Sequence, residues 1–534
     1  MSGRGSRPMP RRWAKAATTA RVAALAGTAL LAACTVGPDY HRAPVIIPAA
    51  YKEQDGWKPS HPQDMVNRGP WWSIYDDPVL DGLERQVAIS NQNLKASEAA
   101  YREARAVVQA ARAGFFPVVS FNTSVQRLQR QGSSSGGFVS SNGTVTQGRS
   151  ASSGQTQFNL SPGATWDLDV WGRIRRTVES DVASAQVSAA DLVSARLSAQ
   201  ALLATDYFEL RAADELKRLL DDAVVAYTQS LQITQNQYKA GVASRADVVT
   251  AETQLKNTQA QAINVGVQRA QLEHAIAVLI GKPASSFSLA PAPLATEVPV
   301  VPPGVPSTLL ERRPDIAAAE RQMAAANAQI GVAIAAFYPD ITLSASYSAT
   351  ASTFAGLFQA ANGIWAFGPS LAQTLLDGGL RSAQVEEARA TYDQTVANYR
   401  ETVLTGFQQV EDELAALRIL EQQAAVQADA VRSAREAERL TLNQYRAGTV
   451  AYTSVIVAQT TALADEQTAL AIRQNRLVAS VALIEALGGG WDASQLPTRD
   501  QVEDIKTVSP AEGLIKDIGD ELSGEKQAGA ATPK

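Results

Sequence analysis

The chain has 534 residues, of which 45% are hydrophobic and 19% charged, with a formal net charge of -5. That balance excludes a basic nucleic-acid binder and an acidic disordered chain, and it nominates no partner by charge. The one cysteine excludes an internal disulfide, and His41, His61 and His274 are scattered without metal-ligand spacing, so neither an enzyme nor a metal centre is indicated.

Arg4, Arg7, Arg11, Arg12 and Lys15 form a basic start, followed directly by the apolar run from Val22 to Ala33. Together they read as an export signal over residues 1–33, too short to span a bilayer. Arg11-Arg12 matches twin-arginine export poorly in its flanks. The run ends in Leu31-Ala32-Ala33-Cys34, which resembles the bacterial lipoprotein box and implies a lipid on Cys34; no other cofactor is expected. The alternative is a small residue at an ordinary cleavage site, which leaves a soluble mature chain. In lipoproteins of this kind an Asp after the cysteine often marks inner-membrane retention, so Thr35 points to the outer membrane.

Residues 34–80 form an N-terminal segment, and after it one unit occurs twice. Phe115-Phe116-Pro117 recurs as Phe337-Tyr338-Pro339, and Gln237-Tyr238-Lys239-Ala240-Gly241 recurs as Gln444-Tyr445-Arg446-Ala447-Gly448, each pair roughly 210 to 220 positions apart. The repeats cover 81–282 and 307–490. Each reads as a helix, a β-hairpin (117–170 and 340–376) and two long helices (172–238 with 242–280, then 379–445 with 449–487). The linker 283–306 is proline-rich and reads as an extended strap, and the tail 491–534 ends in small and charged residues.

In the first hairpin Val119, Phe121, Thr123 and Val125 alternate with Ser120, Asn122 and Ser124, and the same period of two runs from Thr156 to Val170. In the second, Ile341, Leu343, Ala345, Tyr347 and Ala349 alternate with Thr342, Ser344, Ser346 and Ser348, and a further strand passes through Trp365, Phe367 and Leu371. Two architectures share this alternation: an antiparallel sheet on a soluble core, and a barrel wall with lipid outside and water inside. Aromatics at the strand ends, Phe115, Phe116, Trp166, Trp171, Phe337 and Tyr338, favour the barrel. Four strands leave open edges that hydrocarbon cannot solvate, so such a barrel is shared between chains, and three chains leave room for an aqueous channel. Asp167 and Asp169 fall on the polar face. The hairpin tip contains Gly132-Ser133-Ser134-Ser135-Gly136, a formal nucleophile-elbow match without the strand, turn and helix that the elbow needs.

The stretches 172–238 and 380–445 have apolar residues at threes and fours; at about 1.5 Å per residue each makes a rod of roughly 100 Å. Gly406 interrupts the second only locally. Seams rich in Ala, Val and Gln suit either a solid coiled-coil rod or a wall of helices around water. Gly241 and Gly448 end these helices at the position glycine favours, giving two tight helical turns.

Taken together, Cys34-Thr35-Val36-Gly37-Pro38-Asp39-Tyr40, Trp71-Trp72 with Asp77-Pro78, Glu311-Arg312-Arg313-Pro314-Asp315-Ile316, Ala336-Phe337-Tyr338-Pro339 and both Tyr-x-Ala-Gly turns resemble the TolC-like outer-membrane factors, in particular the NodT-type efflux lipoproteins. The resemblance implies an α+β membrane protein: a homotrimer with four strands per chain in an outer-membrane β-barrel, continuous with a long periplasmic α-helical barrel and an equatorial region. It implies outer-membrane lipid, a periplasmic adaptor (membrane fusion protein) and an inner-membrane pump of the resistance-nodulation-division type as partners, and small-molecule efflux as the function. A type I protein-secretion conduit would share the fold.

By position, the resemblance implies that Gly241, Val242, Ala243, Ser244, Arg245, Ala246 and Asp247, with Gly448, Thr449, Val450, Ala451, Tyr452 and Thr453, are tunnel tips that contact the adaptor. Relatives carry an acidic ring near the second tip, whereas Val455-Ile456-Val457-Ala458 is apolar here. The gate candidates are therefore Tyr452, Thr453 and Val457 as steric elements, with Arg245 and Asp247 as polar contacts; the alternative is that these residues only cap and pack the turns.

Overall fold

The computed structural model describes residues 35–54, 70–129, 138–139, 145–146, 154–301 and 306–504. The expected signal segment, Cys34, His61, most of the first hairpin tip with its serine-glycine run, and the tail beyond residue 504 lie outside the described residues.

Asp77 accepts from the Val79 and Leu80 amides at 2.8 and 3.2 Å and so starts helix α1 (Pro78–Ser90); Asn91 does the same for α2 (Gln92–Ala113). Strands β1 (Val118–Gln129) and β2 (Gly154–Asp167) lead into α3 (Arg173–Lys239) and α4 (Arg245–Leu279). The second half repeats this order: α5 (Pro306–Arg312), α6 (Pro314–Ala335), β3 (Asp340–Ala351), β4 (Gly363–Ala372), α7 (Leu380–Arg446) and α8 (Tyr452–Ala486), closed by a short α9 (Arg499–Glu503). The duplication is metrical. Helices α2 and α6 both have 22 residues, α3 and α7 both have 67, and α4 and α8 both have 35.

The two hairpins do not stand apart. They join through β2 and β3 into one antiparallel sheet of order β1-β2-β3-β4, with β1 and β4 as its edges. Joining satisfies two of the four strand edges that separate hairpins would expose.

The main core lies where α1 and α6 brace the long helices. Leu203, Tyr207, Phe208 and Leu210 of α3 pack with Leu80, Leu83 and Val87 of α1, Tyr399, Val403, Phe407, Val410 and Leu414 of α7, and Leu477, Val481 and Leu483 of α8. Trp71 and Trp72, in a 3-10 turn, join this core at 81° to one another. Arg313 explains both the proline motif and Gly406. Its guanidinium donates to both Asp315 oxygens, to Gln409 on α7 and to the Ala486 carbonyl at the end of α8, and a methyl at Gly406 would come within 3.4 Å of it. Farther along α7 burial thins: between Leu417 and Tyr445 only Ala434 is buried.

The proline-rich linker is held by charge. Arg269 of α4 reaches Asp214 at 2.6 Å and the Leu289 carbonyl at 2.6 Å, while Asp214 and Glu215 of α3 accept from the Ala292 and Leu294 amides. The stretch read as an extended strap also contains a 3-10 turn at Ala284–Ser286, which begins after Pro283, and its last residue, Pro306, begins α5.

Candidate functional site: a two-faced wall with paired helical turns

Register decides which side chains share a face of the sheet. Val119, Phe121 and Val125 lie opposite Ala164, Pro162 and Phe158. Leu160 and Trp166 then meet Ala349 and Leu343, and Ile341, Ala345 and Tyr347 meet Leu371, Phe367 and Trp365. One face is therefore apolar across all four strands, and Phe121, Trp365, Phe367 and Leu371 are exposed on it. The other face is a polar mesh: Asn159 donates to Ser124 at 3.3 Å and accepts from Thr350 at 2.8 Å, and Ser161 meets Ser348 at 3.4 Å. Such a sheet fits a wall between hydrocarbon and water. Among the described residues no helix is long and apolar enough to cross a membrane.

The aromatics at the inner ends of the strands keep their polar tips satisfied. Trp166 donates to the Phe115 carbonyl and Trp171 to the Pro339 carbonyl, both at 2.9 Å, while Trp171 stacks on Tyr338 with centroids 4.8 Å apart. Rings with an apolar body and a hydrogen-bonded tip suit a membrane boundary.

Of the two aspartates expected on the polar face, only Asp167 is there, accepting from Thr342 at 3.0 Å. Asp169 lies past the strand and caps α3 instead, accepting from the Ile174 and Arg175 amides and pairing with the Arg175 side chain. Asp377 does the same for α7 with Arg381, and the guanidinium and two amides hold its carboxyl below the usual carboxylate range.

At their far ends α3 and α7 stop in matching turns. Gly241 and Gly448 have φ of 76° and 73°. The Gly241 amide donates to the Tyr238 carbonyl at 3.0 Å and the Val242 amide to Gln237 at 2.8 Å; Gly448 and Thr449 repeat this with Tyr445 and Gln444 at 2.9 and 3.0 Å. The following caps differ. Ser244 and Asp247 form a reciprocal capping box at 2.9 and 3.1 Å, whereas Ala451 starts α8 without a side-chain cap.

The candidate tip residues separate into three groups by exposure. Val242, Ser244, Arg245, Ala246, Thr449, Ala451, Thr453 and Val457 are exposed, and Ala243, Asp247 and Val450 are half-buried. Asp247 is engaged within its own turn by Ser244 rather than across to the α7–α8 pair. Tyr452, read from the sequence as a steric gate element, is 3% exposed: it packs on Tyr445 with centroids 5.3 Å apart, beside Ala251 and Val455. Burial pushes its hydroxyl up to about 12. Tyr452, the first residue of α8, fills the apolar seam formed with Ala251, Tyr445 and Val455.

Sequence reasoning missed the polar seam joining the coils. The Tyr445 hydroxyl donates to Thr234 at 3.2 Å, Gln237 to the Tyr445 carbonyl at 3.1 Å, Tyr227 to the Gln459 carbonyl at 3.3 Å and Gln459 to Ser230 at 3.0 Å. Tyr227, Ser230, Thr234 and Gln237 recur at threes and fours, a signal hidden because the stripe is polar. A groove of about 490 Å³ runs beside it, lined by Ala434, Ala437, Thr441, Thr453, Val457 and Ala458 among others. Among the described residues no group of three or more His, Cys, Asp or Glu is placed to hold a metal ion.

Comparison with known proteins fits this architecture. The family described as outer membrane efflux protein matches residues 83–282 and 305–489. The toluene efflux pump outer membrane protein TtgC of Pseudomonas putida is 30% identical over 476 residues, 89% of this chain and 96% of its own. The pyoverdine export outer membrane protein OpmQ of Pseudomonas aeruginosa is 29% identical, covering 87% and 96% respectively. Among solved structures, the outer-membrane channel OprN superposes with a TM-score of 0.77 at 28% identity, over 86% of this chain and all of that one. The fold is that of the trimeric outer-membrane efflux channels, a β-barrel with four strands per chain running into a long helical barrel. With a matching profile over most of its length and a close relative along nearly all of it, this chain belongs to the outer membrane efflux protein family.

Proposed function

We propose that three copies of this chain form the outer-membrane conduit of a tripartite efflux system, carrying small molecules from a periplasmic adaptor and an inner-membrane pump of the resistance-nodulation-division type to the exterior. The observation that carries this reading is a two-faced sheet with two unpaired edges, continuous with helices of 67 residues. Three such sheets close a barrel wide enough for water, and a rod of roughly 100 Å suits a passage through the periplasm. The chain performs no chemistry on its cargo, and the driving force comes from the pump. Relatives named for toluene and for pyoverdine share this architecture, which agrees with cargo being chosen elsewhere.

The exposed turn residues Val242, Arg245, Thr449 and Thr453, with the small-residue groove beside Val457, are the proposed adaptor contacts. A groove of Ala, Ser and Thr lets a partner helix approach closely.

Lipid anchoring through Cys34 is supported by where its neighbours lie. The Val36 amide donates to the Trp171 carbonyl at 3.1 Å, and Thr35 packs on Gly172, whose added methyl would come 2.7 Å from it. Thr35, the residue after Cys34, thus lies beside Trp171, whose ring stacks on Tyr338 at the inner boundary of the sheet.

The test is complementation. In a strain lacking its outer-membrane channel, this chain with its adaptor and pump restores energy-dependent export of a fluorescent dye; export that does not depend on the chain contradicts the reading.

A further inference from the structure

Between β3 and β4 the chain makes two 3-10 turns, Ala355–Phe358 and Ala360–Asn362. The first folds back over the apolar face of the sheet. Phe354 meets Phe158 edge to face with centroids 6.3 Å apart, a methyl on Gly356 would lie 2.9 Å from the Ala351 Cβ, and Leu357 and Ala349 are both buried. Phe158, Ala349 and Ala351 belong to the apolar side by register. The turn is braced internally: the Gly356 amide donates to the Thr353 hydroxyl at 3.2 Å, and the Asn362 amide donates to the Gly356 carbonyl at 2.8 Å. With Leu357 turned inward, Phe354 and Phe358 are left 66% and 70% exposed, their rings 5.6 Å apart.

Three observations identify what covers them. The turn continues the lipid-facing surface of the sheet. It sits over β2 and β3, the inner strands, whereas another copy of the chain would approach at the edges β1 and β4. Its height also fits: the 12 residues of β3, at about 3.4 Å each and a tilt of about 40°, rise roughly 30 Å from the Tyr338 ring, which is about the hydrocarbon thickness. At the inner end of the same apolar face Trp166 is exposed, so aromatic rings flank the apolar band at both its ends.

We propose that the turn carrying Phe354 and Phe358 is an outer-leaflet anchor, inserting two phenylalanines among lipid acyl chains at the outer boundary and, with the inner aromatic ring, fixing the height of the barrel. The proposal rests on the membrane-spanning reading of the sheet.

Photocrosslinking of the full chain in outer membranes tests it, with p-benzoylphenylalanine in place of Phe358 and, in separate chains, of Phe367 on the lipid face and Ser346 on the polar face. The expected result is a mass shift from attached lipid at positions 358 and 367 and none at 346. A lipid adduct at 367 with a bare or protein-linked position 358 overturns the anchor while leaving the barrel intact; absence of lipid at 367 as well overturns the barrel reading itself. Phe354 provides a second labelling position if substitution of Phe358 prevents assembly.

Discussion

Gly37 and Gly331 meet backbone to backbone: a Cβ on Gly37 would lie 2.5 Å from the Gly331 Cα, and Gly37 itself holds φ of +99°. At this crossing the N-terminal segment passes under Arg176, which donates to the Val36 and Gly37 carbonyls at 3.3 Å and to Asp39 at 3.0 Å. Beyond it, Tyr40 donates to Glu320 at 2.6 Å, Arg42 to the Tyr399 hydroxyl at 2.9 Å, and the Lys52 and Glu53 amides to Glu411. The segment thus ties α3, α6 and α7 together. Gly37→Val is expected to strain the backbone by roughly 1–3 kcal/mol and to dislodge the N-terminal segment. The temperature at which the detergent-resistant oligomer dissociates on a gel falls in this variant; an unchanged temperature contradicts a role for the N-terminal segment in assembly.

Arg313 fastens three helices, and its loss leaves the Ala486 carbonyl and Gln409 without their donor. Arg313→Ala is expected to destabilise the fold by roughly 3 kcal/mol or more. Arg313→Lys does not restore it, because one ammonium cannot reproduce the planar fork on Asp315. Thermal unfolding in detergent, compared for the two variants, checks both statements.

Glu84 of α1 is fully buried, and among the described residues neither of its carboxylate oxygens has a hydrogen-bond partner. Burial pushes its pKa from 4.5 up to about 9. The folded chain therefore holds this proton more tightly than the unfolded chain. The resulting stability is complete below the unfolded value and is lost as pH climbs toward the folded one, at up to about 1.4 kcal/mol per pH unit. Between pH 5 and pH 8 the unfolding temperature falls in the wild type and falls less in Glu84→Gln. Equal falls contradict an unpaired, protonated Glu84.

Two gate candidates have different expected phenotypes. Val457 is 64% exposed, so Val457→Asp makes planar-bilayer channels more cation-selective with little effect on stability. Unchanged conductance and selectivity count against Val457 lining the constriction. Tyr452 is buried, so Tyr452→Ala leaves selectivity alone and lowers stability by about 3–5 kcal/mol.

What the sequence revealed followed from periodicity. The alternation at Val119 to Val125 and Ile341 to Ala349 identified the faces, and Gly241 and Gly448 located the helix ends within a few residues, because each of these features is local. Contacts between distant segments left no such trace. Nothing in the spacing of Gly37 and Gly331 announces that they touch, the joining of the hairpins through β2 and β3 depends on which edges meet, and the inward turn of Tyr452 depends on two coils packing. The Glu311 to Ile316 motif was visible as a motif, but its reason, a guanidinium set against Gly406, required the fold.

The central claim is that one chain holds an incomplete wall, with β1 and β4 as open edges. Native mass spectrometry of the detergent-solubilised full chain tests it most directly. The expected mass is that of three chains, in a species that migrates as compact on gels until heated; a water-soluble single chain with all four strands formed in the absence of lipid or detergent contradicts the shared wall.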